Sequence, residues 1–495
     1  MSKWSCVLIA YVVLVLLIFD RFYPVPILSK QILRGSEVLE EDEGGEKSDE
    51  TEEAEIAEDS SETEPDPNAS ALINGTRILS GTNVSQVEDL KVEDDVEVSD
   101  ETEPESRTSA LINGTNRFVW YREQLMRKMN ITELKTTLNI SQLYAYEFEH
   151  EIVVTTTPWG RMGSQLFCRY LDENDEELGD PFESFTYPEY IVNCEKRKGT
   201  RKIGLSIRQD SEFEAIPIID RMLKKPKYEL SMCVAPMYGE EPKWLLFIEM
   251  IEHYKLQGVQ HFYLHIHHAS EYDLKVINDY VRTGELEVHY LLERDQRDDS
   301  WWQNIHIADC LIWSRGESKW TISADLDERI LTTNYAGTLL DYVRVVAKDE
   351  SIGSMQFQQQ WILKTELMPE RYEGEKQIDQ WMPTHRWHNS TGIGEAGHTA
   401  KCIIDPSKVF IMFVHYVTQF FPGPDGLKYQ QIEVEPDVGV VRHYRDQSLG
   451  SWGERWLNDT LQFGPLRMTD YPKELIGELT ERVKRRAQYV YDNVD

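Results

Sequence analysis

Two carboxylates set two residues apart, directly after an apolar run, are the side chains with the clearest chemical potential in this 495-residue chain. The run is KWTISADLDERI, residues 319–330, with Asp325 and Asp327 at its polar end. In extended backbone residues i and i+2 point the same way, so both carboxylates converge on one cation while Leu326 turns back into the core. Two Asp oxygens leave several positions on a hard divalent ion open to phosphate oxygens and water, an arrangement suited to neutralising a diphosphate leaving group. No other D-x-D occurs in the sequence.

The elements that must position this pair are legible from hydrophobic periodicity. From residue 228 the chain alternates strand and helix. Strands are predicted at YELSMCVAPMY, VQHFYLHIH, LEVHYLL and KWTISA. Between them, EPKWLLFIEMIEHYKLQG reads as a helix with Trp244, Phe247, Ile248 and Ile251 on one stripe and Gly258 closing it. YDLKVINDYVRTG and NIHIADCLIWSR read as the next two helices. The alternation predicts an α/β fold with a mostly parallel central sheet, in which ligands bind beyond the carboxyl ends of the strands. Asp325 and Asp327 fall at such an end. No G-x-G-x-x-G follows the first strand, and G-x-x-x-x-G-K-S/T, G-x-S-x-G and H-E-x-x-H are all missing, which excludes the common dinucleotide, P-loop, esterase and zinc-protease sites.

The formal net charge is −35, and the segment from Ser36 to Ile112 alone holds 26 Asp and Glu against 4 Lys and Arg. Such acidity, without a basic patch interleaved with aromatics, argues against a nucleic-acid partner. The acidic segment has few aromatics and cannot bury enough surface to offset chain entropy, so it reads as a stalk. It contains a duplication, ETEPDPNASALINGT at 62–76 and ETEPESRTSALINGT at 101–115. Before it, residues 4–19 are uncharged and apolar, about 24 Å of helix, and predict a membrane anchor over residues 4–23. No small-residue cleavage site follows. N-x-S/T triplets begin at Asn68, Asn74, Asn83, Asn113, Asn130, Asn139, Asn389 and Asn458, which places the body on the lumenal side. The expected order is a cytoplasmic tail at 1–3, the anchor at 4–23, the stalk at 24–117, a neck and strand-rich part at 118–227, a catalytic domain at 228–470 and a helical tail at 471–495. Beyond the anchor five cysteines remain, Cys168, Cys194, Cys233, Cys310 and Cys402. Cys168 and Cys194 are the pair expected to bridge, whereas Cys233 and Cys310 read as buried thiols.

The ordered motifs CVAPMYGEEPKWLLFIEMIEHYKLQGVQHFYLHIHHASEYD, QNIHIADCLIW, WTISADLDERI, KCIIDPSKV and VVRHYRDQ resemble glycosyltransferase family 92 over about residues 200–470. The resemblance implies a GT-A-like nucleotide-sugar-binding domain and an inverting transfer that depends on a divalent cation, usually Mn2+. It further implies galactose passing from UDP-galactose to the core α-1,6-fucose of N-glycans in β-1,4 linkage, by an enzyme held as a single-pass type II protein of the Golgi membrane. The family's motif positions fall on Cys233, Pro236, Gly239, Glu249, Asp309, Cys310, Asp405, Pro406, His443, Tyr444 and Arg445. Two departures are Trp313, where the family pattern has Arg, and the His-rich HIHHAS.

On this resemblance Asp325 and Asp327 hold the cation, with His443 as first choice of third ligand and His415 as second. Pro236, Tyr238, Glu240, Asp309 and Arg445 are the expected contacts to the nucleotide sugar, Arg445 through charge-assisted bonds to the diphosphate. Inversion in one displacement requires a carboxylate to take the acceptor hydroxyl proton. Glu366, Asp405, Asp298 and Asp299 are the candidates. WMPTHRWHNSTG, with His385, Arg386, Trp387 and His388, has the composition of a sugar-facing loop or of a lid packed on the core. Two other readings of the D-x-D are a metal-dependent hydrolase, which would want further clustered ligands, and a non-catalytic membrane-anchored glycan-binding protein.

Overall fold

The computed structural model describes residues 111–112, 115–136, 140–157, 160–291 and 302–493. The expected anchor, the duplication apart from residues 111–112 and 115, Asn68, Asn74, Asn83, Asn113 and Asn139, and the base candidates Asp298 and Asp299 lie outside the described residues. Among those described, no helix is long and apolar enough to cross a membrane. The sequon residues Asn130, Asn389 and Asn458 are exposed.

The expected neck opens on a single helix. α1 spans Arg117–Met129, opened by Asn116, whose side chain accepts from Phe118 N, and closed by Asn130 in the left-handed region. Strands follow: β1 Lys135–Thr136, β2 Ser141–Glu147, β3 Glu151–Thr157, β4 Ser164–Leu171, β5 Phe182–Phe185, β6 Ile191–Glu195, β7 Lys202–Ser206 and β8 Ala215–Asp220. They form one sheet in the order β1-β4-β7-β8-β2-β3-β6, with β5 beside β4. Strict alternation of buried and half-buried residues along β4 turns one face inward. Cys168 of β4 and Cys194 of β6 form the disulfide expected from sequence.

The second sheet is built from β9 Tyr228–Met237, β10 His261–Ile266, β11 Leu286–Tyr290, β12 Ser318–Ala324, β14 Ile352–Phe357, β17 Lys401–Ile404 and β18 Gln430–Val434. Its order is β11-β10-β9-β12-β17-β14-β18. The four strands from β11 to β12 are mutually parallel, β17 is antiparallel to both β12 and β14, and β14 runs parallel to β18. Parallel neighbours require crossovers, and these are α2 Trp244–Leu256, α3 Glu271–Arg282 and α4 Trp302–Ser314. α2 is buried nearly all round rather than on a stripe, from Trp244 through Tyr254. One side of it meets the sheet, and the other meets α7, Lys473–Asn493. Leu479, Val483, Ala487 and Val490 of α7 recur at helical spacing and join the main core, so the expected tail is a structural wall.

A third sheet, in the order β13-β19-β15-β16-β20, stands beside the second. Its strands are β13 Glu328–Thr332, β15 Gln359–Lys364, β16 Asn389–Ile393, β19 Gly439–Asp446 and β20 Arg467–Met468. α5, Leu339–Val346, leads from β13 to β14 and carries a capping box at Thr338 and Asp341. The N-terminal sheet packs on α4: Tyr146, Val153 and Ile191 join Leu311, Ile312 and Trp313 in one apolar cluster.

Cysteine pairing departs from the sequence reading. Cys233 of β9 and Cys310 of α4 form a disulfide, Cα to Cα 6.1 Å. Parallel strand and crossover helix bring these side chains face to face across 77 residues, a proximity that local apolarity does not reveal. Cys402 is free and buried.

Candidate active site

The D-x-D turn is where the chain leaves one sheet for the next. β12 ends at Ala324, opposite Val234 of the parallel β9. β13 begins at Glu328, opposite His443 of the antiparallel β19. Asp325, Leu326 and Asp327 span the gap, and the turn is closed by Asp325 N donating to Glu328 Oε2 at 2.8 Å and Glu328 N donating to Asp325 O at 3.1 Å. Tyr444 N donates to Asp327 O at 2.8 Å, which fixes the turn against β19. Leu326 packs on the main core, as alternation requires. The Asp325 and Asp327 side chains remain 27% and 24% exposed, enough to meet a ligand.

Asp327 Oδ2 lies 3.0 Å from His443 Nε2. Burial opposes ionisation of Asp327, and His443, by charge and hydrogen bond, with help from Arg445, overcomes it, holding the carboxyl well below the usual range. Asp325 Oδ2 lies 3.0 Å from the ammonium of Lys401, which also stands 3.4 Å from Glu328 Oε2. Lys401 opens β17 and is almost completely buried. Glu328 is buried too and accepts from Gln359 Nε2 at 2.7 Å. Burial and the neighbouring Asp325 push its carboxyl up, against the pull of Lys401 and His443. Neither Lys401 nor Glu328 stood out in the sequence, although Glu328 follows the D-x-D immediately and Lys401 heads the KCIIDPSKV motif.

Alternation along β19 places Arg445 on the same side as His443. Its guanidinium carbon stands 5.6 Å from the centroid of the Trp361 ring, and its Nε is buried without a hydrogen-bond partner. An orphaned guanidinium nitrogen beside a carboxylate-histidine pair suits an anionic ligand, but among the described residues the group whose ligand atoms all converge within 4.8 Å is His265, His289 and Asp309, so the expected convergence of Asp325 and Asp327 with His443 on one point is not seen: Lys401 holds Asp325 and His443 holds Asp327. At the end of β9 the chain runs through Pro236, which is buried, to Tyr238 and Glu240, which are exposed. The turn uses Gly239 at φ 79°, and an added Cβ there would meet the Glu241 carboxylate. Because β9 and β12 are parallel, Tyr238 and Glu240 lie at the same end of the sheet as Asp325.

Other expected site residues sit elsewhere. Asp405 follows β17, which is antiparallel to β12, and Ile404 pairs with Thr321. The carboxylate is therefore about five residues, or roughly 16 Å of strand, toward the opposite end from Asp325. It caps a local turn by accepting from Ser407 N and Oγ. Glu366 is tied by both oxygens to Arg386 at 2.7 Å, which holds its carboxyl below the usual range and makes it a poorer base. His415 Nδ1 is 2.9 Å from Ala400 O, and burial pushes this histidine down to about 3. Of the WMPTHRWHNSTG loop, Trp387 is buried in the core and His385 bonds Thr480, so most of it is packed lid.

Asp309 was expected at the nucleotide and is instead wholly interior. Its Oδ1 accepts from Tyr146 and Thr155 of the N-terminal sheet at 2.8 Å each. Its Oδ2 lies 2.7 Å from His265 Nε2 and 3.1 Å from His289 Nδ1. His265, His289 and Asp309 thereby form a group whose geometry could hold a metal ion. The carboxylate already has four partners, and no side is open to a substrate, so this cluster stitches α4 to two sheets rather than presenting a cation to a diphosphate. Trp313, the departure from the family pattern, stacks on His289 at 3.4 Å, and Tyr144 covers the other face at 3.6 Å. The histidine-rich strands and the Trp are thus one packing solution.

An acidic turn at the carboxyl end of a parallel sheet, flanked by an arginine whose Nε has no partner, belongs here to a glycosyltransferase-like α/β protein. The chain belongs to glycosyltransferase family 92, whose sequence model matches residues 228–479. It is 23% identical over 281 residues to a β-1,4-galactosyltransferase of Caenorhabditis elegans, covering 52% of this chain and 60% of that protein. Among solved structures, S. aureus TarS residues 1–349 aligns with 28% of this chain and 36% of its own at 13% identity and TM-score 0.17. HddC from Yersinia pseudotuberculosis aligns with 52% of this chain and 99% of its own at 13% identity and TM-score 0.20. Likenesses of that size assign no activity.

Proposed function

We propose that this protein is an inverting, cation-dependent galactosyltransferase of GT-A type that moves galactose from UDP-galactose to the core α-1,6-fucose of N-glycans in β-1,4 linkage. The observation that carries the reading is the pairing of the D-x-D turn with His443 and Arg445 at one end of the parallel sheet. Asp327, His443 and Asp325 are the residues that would hold the cation, for which Mn2+ is the choice. When bound, it would supply positive charge to the departing diphosphate. Arg445 adds a fixed guanidinium for the same oxygens, and the exposed Tyr238 ring offers a face to the nucleobase. Lys401 orients Asp325 by holding one oxygen and leaving the other available. The similarity to the nematode galactosyltransferase supports the choice of donor. The sequons and the apolar N-terminal run support a single-pass Golgi protein with a lumenal catalytic part.

The test is incubation of the lumenal part with a panel of nucleotide sugars and with fucosylated or unfucosylated N-glycans, with and without Mn2+. Transfer of galactose only to fucosylated glycans, abolished by chelation, is the expected result. Transfer of another sugar would overturn the donor, and binding without transfer would favour a glycan-binding protein.

A further inference from the structure

Beyond the donor end, the surface carries an open groove of about 510 Å3 between the segment after β15 and α6, Glu375–Trp381. Leu367, Glu370, Arg371, Glu373, Gln377 and Trp381 line it. β15 and β19 are parallel, with Trp361 opposite His443 and Lys364 opposite Asp446, so both strands deliver their carboxyl ends to the D-x-D side. Leu367 stands three residues past Lys364, about 10 Å of extended chain. The groove wall is tied to the donor side as well: Trp244, the first residue of the helix after the Tyr238 turn, donates from Nε1 to Pro369 O at 2.8 Å.

The lining combines two kinds of surface. Trp381 is partly exposed, with Leu367 59% exposed near it. The Arg386 guanidinium lies 4.7 Å over the Trp381 ring and is itself gripped by Glu366, and the indole also packs on the main core, so the ring is held in place. In the same lining, Glu370, Arg371 and Glu373 are exposed, and Gln377 is fixed by accepting from Glu373 N at 3.0 Å. A rigid aromatic face with planar polar groups around it matches a pyranose, which has an apolar ring face and a rim of hydroxyls. The groove lies within one strand end of the donor residues, where a second sugar must approach for transfer.

We propose that this groove is the acceptor subsite, that Trp381 is its stacking platform, and that Glu370, Glu373 and Gln377 read hydroxyls of the acceptor glycan. The inference rests on the transferase reading above. It also gives Glu366 a role other than base: with Arg386 it holds the platform.

The experiment compares wild type with Trp381→Ala, Trp381→Phe and the exposed double variant E370Q/E373Q. Initial rates are followed with varied core-fucosylated biantennary N-glycan at saturating UDP-galactose. Saturation-transfer NMR with the same glycan, without donor, reports binding separately. The expected result is an acceptor KM raised at least tenfold in Trp381→Ala and at least threefold in E370Q/E373Q. Donor KM should stay within threefold, Trp381→Phe should recover most of the loss, and saturation transfer should vanish in Trp381→Ala. Normal acceptor KM in both Trp381→Ala and E370Q/E373Q, with wild-type transfer intact, would overturn the groove and leave the function standing. If the wild type transfers nothing yet shows a saturation signal that Trp381→Ala removes, the proposed reaction fails and the groove stands. Absence of both transfer and saturation signal overturns the groove too. Should Trp381→Ala not fold, the double variant decides, since its side chains lie on the surface.

Discussion

Replacing Lys401 by Met tests whether the D-x-D turn is assembled around an internal cation. The ammonium is buried, 3.0 Å from Asp325 Oδ2 and 3.4 Å from Glu328 Oε2. At an effective dielectric constant near 20, each contact is worth about 5 kcal/mol of attraction, offset by the several kcal/mol needed to bury the ammonium. Methionine fills similar volume but leaves the two carboxylates facing each other. Removing one partner from a buried charged set costs about 3–5 kcal/mol, and that is the expected loss in urea unfolding at pH 8. The pH dependence has a definite sign. Glu328 already has a raised carboxyl pKa, and loss of Lys401 raises it further, so the folded variant binds a proton that the unfolded chain does not. A group raised in the folded state contributes stability at low pH that is lost as pH rises through its folded pKa, so the deficit relative to wild type should shrink at pH 5.5. Added Mn2+ should restore part of the loss at pH 8, since a divalent ion replaces the missing charge. A deficit under about 1 kcal/mol at pH 8 would refute the reasoning, because it would mean that the carboxylates do not depend on Lys401.

Three further outcomes are expected. Asp327→Asn should lower turnover by about 10² to 10³, because it removes charge from a preorganised site, while circular dichroism stays that of the wild type; a folded variant with normal nucleotide release and normal metal dependence would place the cation elsewhere. Cys233→Ser should destabilise the chain by about 4 kcal/mol on loop-closure grounds, since the disulfide closes 77 residues; the measurement is urea unfolding of wild type and variant, both without reductant so that the Cys168–Cys194 pair stays oxidised in each, and equal midpoints would refute it. Asp309 is held well below the usual carboxylate range, chiefly against burial by its bonds to His265 and His289; its share of stability is present above about pH 4 and lost as pH falls, and Asp309→Asn should flatten that acid limb of the melting profile while costing about 3–5 kcal/mol near neutrality.

The order of strands and helices from Tyr228 to Ala324 was written in the sequence, because apolar period and turn residues report which side of each element is buried. The D-x-D turn was legible for the same reason: an acidic triplet interrupting an apolar strand marks the strand's polar end. His443 was reachable only through resemblance to a family, since nothing local distinguishes it from the core histidines His253 and His265, one of which burial pushes down to about 3. Its placement depends on register, Glu328 against His443, which is set when β13 and β19 pair across more than a hundred residues. Lys401 met Asp325 by the same means. Asp309 was expected at the nucleotide only through the family resemblance; packing shows that two histidines, a tyrosine and a threonine from four other elements consume its oxygens. The Cys233–Cys310 bridge, the braced Trp381 and the burial of α7 also depend on which faces meet. Local sequence determines what each segment is and which side it hides, while the choice of partner is made by topology, because each long-range contact draws its free energy from surfaces that local periodicity describes only one at a time.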